Sequence, residues 1–111
     1  MSQASTARLV LITQSRDDGG HQTDVLSYQR VNEDYLVVAT NESKNTKPAW
    51  YLNLKSDPVV QVELGQMSFY AHASTPTGKD RLRLNTNVDT IRGSRSREIP
   101  RESTAVLLSP M

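Results

Sequence analysis

Residues 47–58 read KPAWYLNLKSDP, and how this stretch folds decides the rest. It sets the only tryptophan of a 111-residue chain beside a tyrosine, although aromatic residues make up 5% of the composition. Pro48 suits the first turn of a helix, where its missing N–H has no intrahelical partner to lose. Asp57 precedes Pro58 and is pushed out of the α region, so the helix ends within about two to three turns. The spacing predicts one short helix from Pro48 to Lys55. On it Ala49, Trp50 and Asn53 fall on one stripe, with Tyr51 and Leu54 around the side. A flat ring, a small residue and an amide on one face suit a planar heterocycle with ring carbonyls and N–H groups. By residue type alone, Trp50, Leu52 and Leu54 suit equally well a plug in the end of a barrel.

Outward from this helix the pattern is that of strands. Residues 7–14 (ARLVLITQ) are aliphatic and end at the polar turn Ser15-Arg16-Asp17-Asp18-Gly19-Gly20. Residues 23–30 (TDVLSYQR) and 34–40 (DYLVVAT) flank the hairpin-length connection Val31-Asn32-Glu33, and residues 59–64 (VVQVEL) and 67–73 (MSFYAHA) flank Gly65-Gln66. Residues 41–47 (NESKNTK) are wholly polar and read as a loop. Thr77-Gly78-Lys79-Asp80 opens a helix over RLRLNTNVDTIR, with Leu82, Leu84, Val88 and Ile91 as a partial apolar face. A charged, breaker-rich segment follows, and TAVLLSP supplies the last strand. The expectation is one domain over 1–111 of the mainly β (α+β) class, with residues 1–6 as a flexible tail. It has about six antiparallel strands, one short helix and one longer one. So many short strands in so small a chain favour closure into a barrel, which removes exposed edges.

Composition narrows the function. Thirteen basic and twelve acidic residues give a net charge of +1, which disfavours nucleic acid as a partner bound through counterion release. No apolar run is long enough to span a membrane, and the first residues lack the pattern of a secretory leader, so the chain reads as cytoplasmic. With no cysteine there is neither a thiolate nucleophile nor a thiolate-held metal. His21 and His72 stand far apart, and no metal-ligand spacing is present. No Ser-His-Asp or paired-carboxylate geometry follows from spacing either.

The segment KPAWYLNLKSDPVVQVEL resembles the signature of the deazaflavin-dependent nitroreductase family, split β-barrel oxidoreductases of actinobacteria that use coenzyme F420. In that family P-x-W-Y-L-N-L-x-x-x-P is followed by a V-x-V strand. DYLVVAT precedes the motif at the family's spacing. LVLITQSR stands where members have L-L-T-T-x-G-R, Thr77-Gly78 resembles a T-G-E-E-R helix start, and AVLLSP resembles a closing V-V-V-L-x-P strand. The resemblance implies a split β-barrel, a small-molecule substrate, and hydride chemistry carried by the cofactor while the protein orients it. It implies that Trp50 and Asn53, with Pro48 and Ala49, line the deazaflavin ring pocket. Arg16 would serve the phosphate and anionic tail, and Thr40 would contact the cofactor through its hydroxyl, with Asn41 and Lys44 in the same rim. Tyr28 occupies a strand position that in the family points near the pocket and is the candidate proton donor.

The chain also departs from the pattern. Where the family reads G-R-K-x-G-x-x-R, residues 15–22 read SRDDGGHQ, so Asp17 and Gln22 replace cations and Asp18 adds a further acid. Carboxylates beside a phosphate add like-charge repulsion. Asn41 stands where some members carry a basic residue, and Lys44 and Lys47 in the adjacent loop are placed to compensate. The family's C-terminal tyrosines are absent, which leaves Arg92, Arg95, Arg97 and Arg101 as the charges of any lid. Three functions therefore stand side by side at this point. The first is an F420-dependent reductase. The second is a barrel that has lost F420 and performs a cofactor-free cyclisation or isomerisation in a biosynthetic pathway. The third is a non-catalytic ligand-binding barrel. Flavin mononucleotide is the alternative cofactor, and pairing of two barrels into a homodimer is left open.

Overall fold

A computed structural model of the chain describes residues 7–16, 18–41, 46–92 and 103–111, with Asp89 and Arg92 described by their backbone. The tail expected over 1–6, Asp17, Lys44, and the lid arginines Arg95, Arg97 and Arg101 lie outside these residues, as does the Arg92 side chain. The strands are β1 (Arg8–Gln14), β2 (His21–Ser27), β3 (Gln29–Val31), β4 (Asp34–Thr40), β5 (Val59–Leu64), β6 (Met67–Ser74) and β7 (Ser103–Pro110). The helices are α1 (Ala49–Ser56), α2 (Gly78–Arg83) and α3 (Asn85–Arg92). All ladders are antiparallel, in the order β2-β1-β5-β6-β7-β4-β3.

The count of strands differs from the expected six because the segment read as one strand over 23–30 divides at Tyr28. Its first part pairs with β1 and its second with β4. These are the two opposite edges of the sheet. A single residue between two edge strands forces the sheet to curl until the edges meet, and the result is a split β-barrel. Tyr28 donates its backbone N–H to Ala7, and its ring packs edge-on against Tyr35 at 5.5 Å, which in turn meets Phe69 at 5.6 Å. Closure is therefore both covalent and apolar.

Alternation along the strands fills the barrel. Leu9 and Leu11, Val37 and Ala39, Val60 and Val62, Ala71 and Ala73, and Val106 and Leu108 form one buried cluster that also takes in Tyr35, Trp50 and Leu54. Two-residue connections join β3 to β4 through Asn32-Glu33 and β5 to β6 through Gly65-Gln66. Asn32 has φ +58° and Gly65 φ +62°, the left-handed conformation that asparagine and glycine tolerate best.

The longer helix expected after residue 77 is two helices, broken at Leu84 (φ −94°, ψ 1°). Asn85, Thr86 and Asn87 are weak helix formers, and Asn and Ser-like side chains favour helix starts, so a second helix begins where the first would have run on. The break lets Leu84 and Val88 turn onto Leu36 and Ala105, making a smaller second core on the outside of the sheet. That is why β4 is buried on both faces while most strands are buried on one. No helix among the described residues is long and apolar enough to cross a membrane, and none of those residues form a group that could hold a metal ion.

Strand direction positions the site. β1 and β4 are linked through three intervening antiparallel strands, so they run the same way and their C-terminal ends share one end of the barrel. The chain leaves β4 there, and α1 carries it across that end to the start of β5.

Candidate functional site

α1 buries Trp50, Asn53 and Leu54, the i, i+3, i+4 stripe of a helix. Ala49 and Leu52 lie outside this stripe and are exposed, and Tyr51 is half-buried with its ring edge-on to Trp50 at 6.4 Å. Pro48 is the N-cap in extended conformation, and the N–H of Asp57 closes the helix on the Asn53 carbonyl at 2.9 Å. Leu52 is thus not part of the plug at the barrel end; Trp50 and Leu54 are. Trp50 is 5% and Asn53 4% exposed, so both are part of the barrel's packing.

Burying an amide requires partners for it. Asn53 Nδ2 donates to Thr13 Oγ1 at 3.0 Å and to Gln22 Oε1 at 3.2 Å, and the backbone N–H of Arg16 donates to Asn53 Oδ1 at 3.4 Å. These contacts tie α1 to the ends of β1 and β2 and to the loop between them. Neither Thr13 nor Gln22 was singled out from the sequence as a partner of Asn53. Thr13 carried a usable signal, since alternation puts it on the inward face with Leu9 and Leu11, where a hydroxyl needs a buried partner.

On the other side of the same barrel end, Thr40 Oγ1 lies 3.3 Å from Ser103 Oγ. Lys47 Nζ donates to Thr104 Oγ1 at 2.8 Å and stands 5.6 Å from the centre of the Tyr51 ring. Asn41 is buried directly after Thr40. Arg16 presents an exposed side chain from the β1–β2 loop. Among the described residues neither Arg16 nor Lys47 forms an ion pair. Lys47 and the hydroxyls of Thr40, Ser103 and Thr104 thus cluster on one side of this barrel end and the loop carrying Arg16 lies on the other, groups of the kind that bind phosphate or carboxylate.

Asp18 turns its carboxylate onto its own loop. Its Oδ1 accepts from the N–H of Gly20 at 2.9 Å. That bond first, and the Ser15 side chain second, hold its carboxyl below the ordinary 3.8. The carboxylate closes its own loop, in which Ser15 N–H also donates to the Gly20 carbonyl at 2.7 Å. Because the folded value is depressed, the loop's gain from ionised Asp18 is present above about pH 3.8 and lost as pH falls through the lower folded value. The Gly20 amide resonance is expected to titrate with a midpoint below 3.8 and to stop titrating in Asp18→Asn. A midpoint at or above 3.8 would show that the carboxylate is not held.

Tyr28 is not brought to this place. It is anchored at Ala7, while Asn53 binds Thr13, and at roughly 3.3 Å per residue the intervening run of β1 separates them by about 20 Å. His21 and His72 are both exposed, on β2 and β6. A cavity of about 410 Å³ opens between α2, α3 and the β3–β4 turn, floored by Val31, Leu84 and Leu107, and a smaller one of about 180 Å³ lies beside Ile12, His21 and Tyr70. Neither is bordered by Trp50 or Asn53.

Against known proteins, the family model of the F420H(2)-dependent quinone reductases matches residues 3–106. The chain is 34% identical over 61 residues to F420H(2)-dependent quinone reductases of two Mycobacterium tuberculosis strains, H37Rv and CDC 1551, covering 55% of this chain and 41% of each relative. It therefore spans about two-fifths of the length of the curated relatives it matches. Among solved structures it resembles the F420-H2 dependent reductase FDR-A, with TM-score 0.67, 17% identity and coverage of 98% of this chain and 99% of that one. A chain solved as a domain-swapped dimer gives TM-score 0.73 at 18% identity, covering 98% and 84%. HutZ, the heme storage protein from Vibrio cholerae, gives 0.61 at 18%, covering 96% and 82%. These likenesses establish the split-barrel architecture, and the family match, which spans nearly every described element, establishes kinship: the chain belongs to the F420H(2)-dependent quinone reductase family.

Proposed function

We propose that this chain acts in an F420-dependent oxidoreductase that passes a hydride from reduced deazaflavin to a small organic acceptor of the quinone class. The observation that carries this reading is the family match over residues 3–106, which contains the whole helix-and-proline motif from Pro48 to Pro58. The donor set at the end of the barrel agrees with it. Coenzyme F420 carries a phosphate and a glutamate tail, and Arg16, Lys47 and the hydroxyls of Thr40, Ser103 and Thr104 are the groups that would hold such anions. Ala49 is exposed on the flank of α1 beside half-buried Tyr51, and the ring would lie against that flank. Trp50 and Asn53 serve from beneath, by fixing α1 to the barrel.

When bound, the reduced deazaflavin supplies the hydride. The chain's own work is to neutralise the anionic groups, hold the flat ring against α1 and keep water from it. Tyr28, at the far end of β1, is given no part in this chemistry. Pairing of two barrels belongs to the same reading, supported by the domain-swapped dimer among chains of this fold. Titration of the protein into coenzyme F420, followed by the cofactor's fluorescence, is the direct test. Saturable quenching with a dissociation constant at or below tens of micromolar is expected. An unchanged signal at that concentration would sink the proposal.

A further inference from the structure

The buried amide of Asn53 has two ends, and something must decide which end points where. Gln22 Nε2 donates to Asp24 Oδ2 at 3.0 Å. A carboxylate only accepts, so Asp24 fixes Gln22 with its NH2 toward itself and its carbonyl toward α1. That carbonyl also only accepts. Asn53 must therefore present its NH2 to Gln22 at 3.2 Å, which leaves its oxygen for the backbone N–H of Arg16 at 3.4 Å. Thr13 decides nothing in this sequence, because a hydroxyl can donate or accept and suits either orientation of Asn53. Polarity is thus passed in one direction, from the charge of Asp24 through two amides to the backbone of the β1–β2 loop.

We infer that Gln22 is a positioning residue, which, oriented by Asp24, sets Asn53 so that the loop holds Arg16 at the rim. This rests on the proposed reading in one respect, that the Arg16 guanidinium serves an anionic group of the cofactor. It gives a second use to a position where the sequence pattern had shown only the loss of a cation. The charged group that position 22 contacts is Asp24 on its own strand. From β1 it pairs with Thr13 and from α1 it meets Asn53, neither of which titrates.

Two variants separate positioning from bulk. Gln22→Glu keeps the shape. While protonated, its O–H donates to Asp24 and its carbonyl accepts from Asn53; once ionised, the bond to Asp24 is lost but a carboxylate oxygen still accepts from Asn53 Nδ2, so the orientation of Asn53 is kept in either state. Gln22→Met fills the space but cannot accept at any pH. The first readout is the Arg16 backbone amide resonance without cofactor. It is expected to match wild type in Gln22→Glu, which keeps an acceptor for Asn53, and to be displaced in Gln22→Met, which has none. The second is affinity for coenzyme F420, expected to fall by about three- to tenfold wherever that resonance is displaced. An Arg16 amide indifferent to Gln22→Met, or displaced equally in both variants, overturns the inference, as does a displaced amide with unchanged affinity. If the wild-type protein fails to bind coenzyme F420 at all, the proposed function falls, while the amide resonance still decides whether Gln22 positions the loop.

Discussion

Trp50→Ala lowers the free energy of unfolding by about 3–5 kcal/mol, the usual cost of deleting a buried indole and leaving its cavity. The expectation follows from 5% exposure inside the main barrel cluster and from contact with Tyr51. For a domain whose total stability is on the order of 5–15 kcal/mol, this is the difference between a folded and a marginal protein. Urea unfolding followed by circular dichroism measures it. The alternative, an indole that forms the open wall of a ring pocket, makes a contrary forecast: a loss below about 1 kcal/mol with the denaturant slope unchanged. The experiment therefore chooses between plug and wall, the two roles that residue type leaves open for Trp50.

Arg16→Ala and Lys47→Ala weaken binding of coenzyme F420 by unequal factors. Arg16 is exposed, so solvent screens its pairing with an anion and a loss on the order of tenfold is expected. Lys47 is half-buried and already oriented by Thr104 and the Tyr51 ring. Less of its charge is screened and less side-chain freedom remains to be lost, so up to about a hundredfold is expected. Neither change should move the unfolding midpoint by more than a surface substitution does. Isothermal titration at two salt concentrations checks both numbers, with the Arg16 effect shrinking more at high salt. If Lys47→Ala binds as tightly as the wild type, the rim formed by Thr40, Ser103 and Thr104 is not the anion site.

Parts of this were written in the chain. Pro48 and the Asp57-Pro58 pair bound α1 to within a residue, because one proline fixes φ at a helix start and the other bars the α region before it. Asn32 and Gly65 marked two tight hairpins by tolerating positive φ. The imperfect alternation of β5 put Val60 and Val62 inside and left Val59 exposed, while in β1 the run over residues 9–12 is aliphatic throughout and only Leu9 and Leu11 of it are buried. The division at Tyr28 was not legible, since nothing in TDVLSYQR separates one strand from two that serve opposite sheet edges. Nor was the break at Leu84, which depends on the outer face of β4 being there to receive Leu84 and Val88.

Local steric rules and period-two patterning, acting over a few residues, thus determined the strands, their turns and the brief helix of this protein. Which face of that helix went inside, and what its amide would touch, were decided only when β1, β2 and α1 came together. Asn53 meets Thr13 across 40 positions and Gln22 across 31. Hydrogen-bond direction at such a junction depends on donors and acceptors that are neighbours only in the folded state, and no short window of sequence contains them.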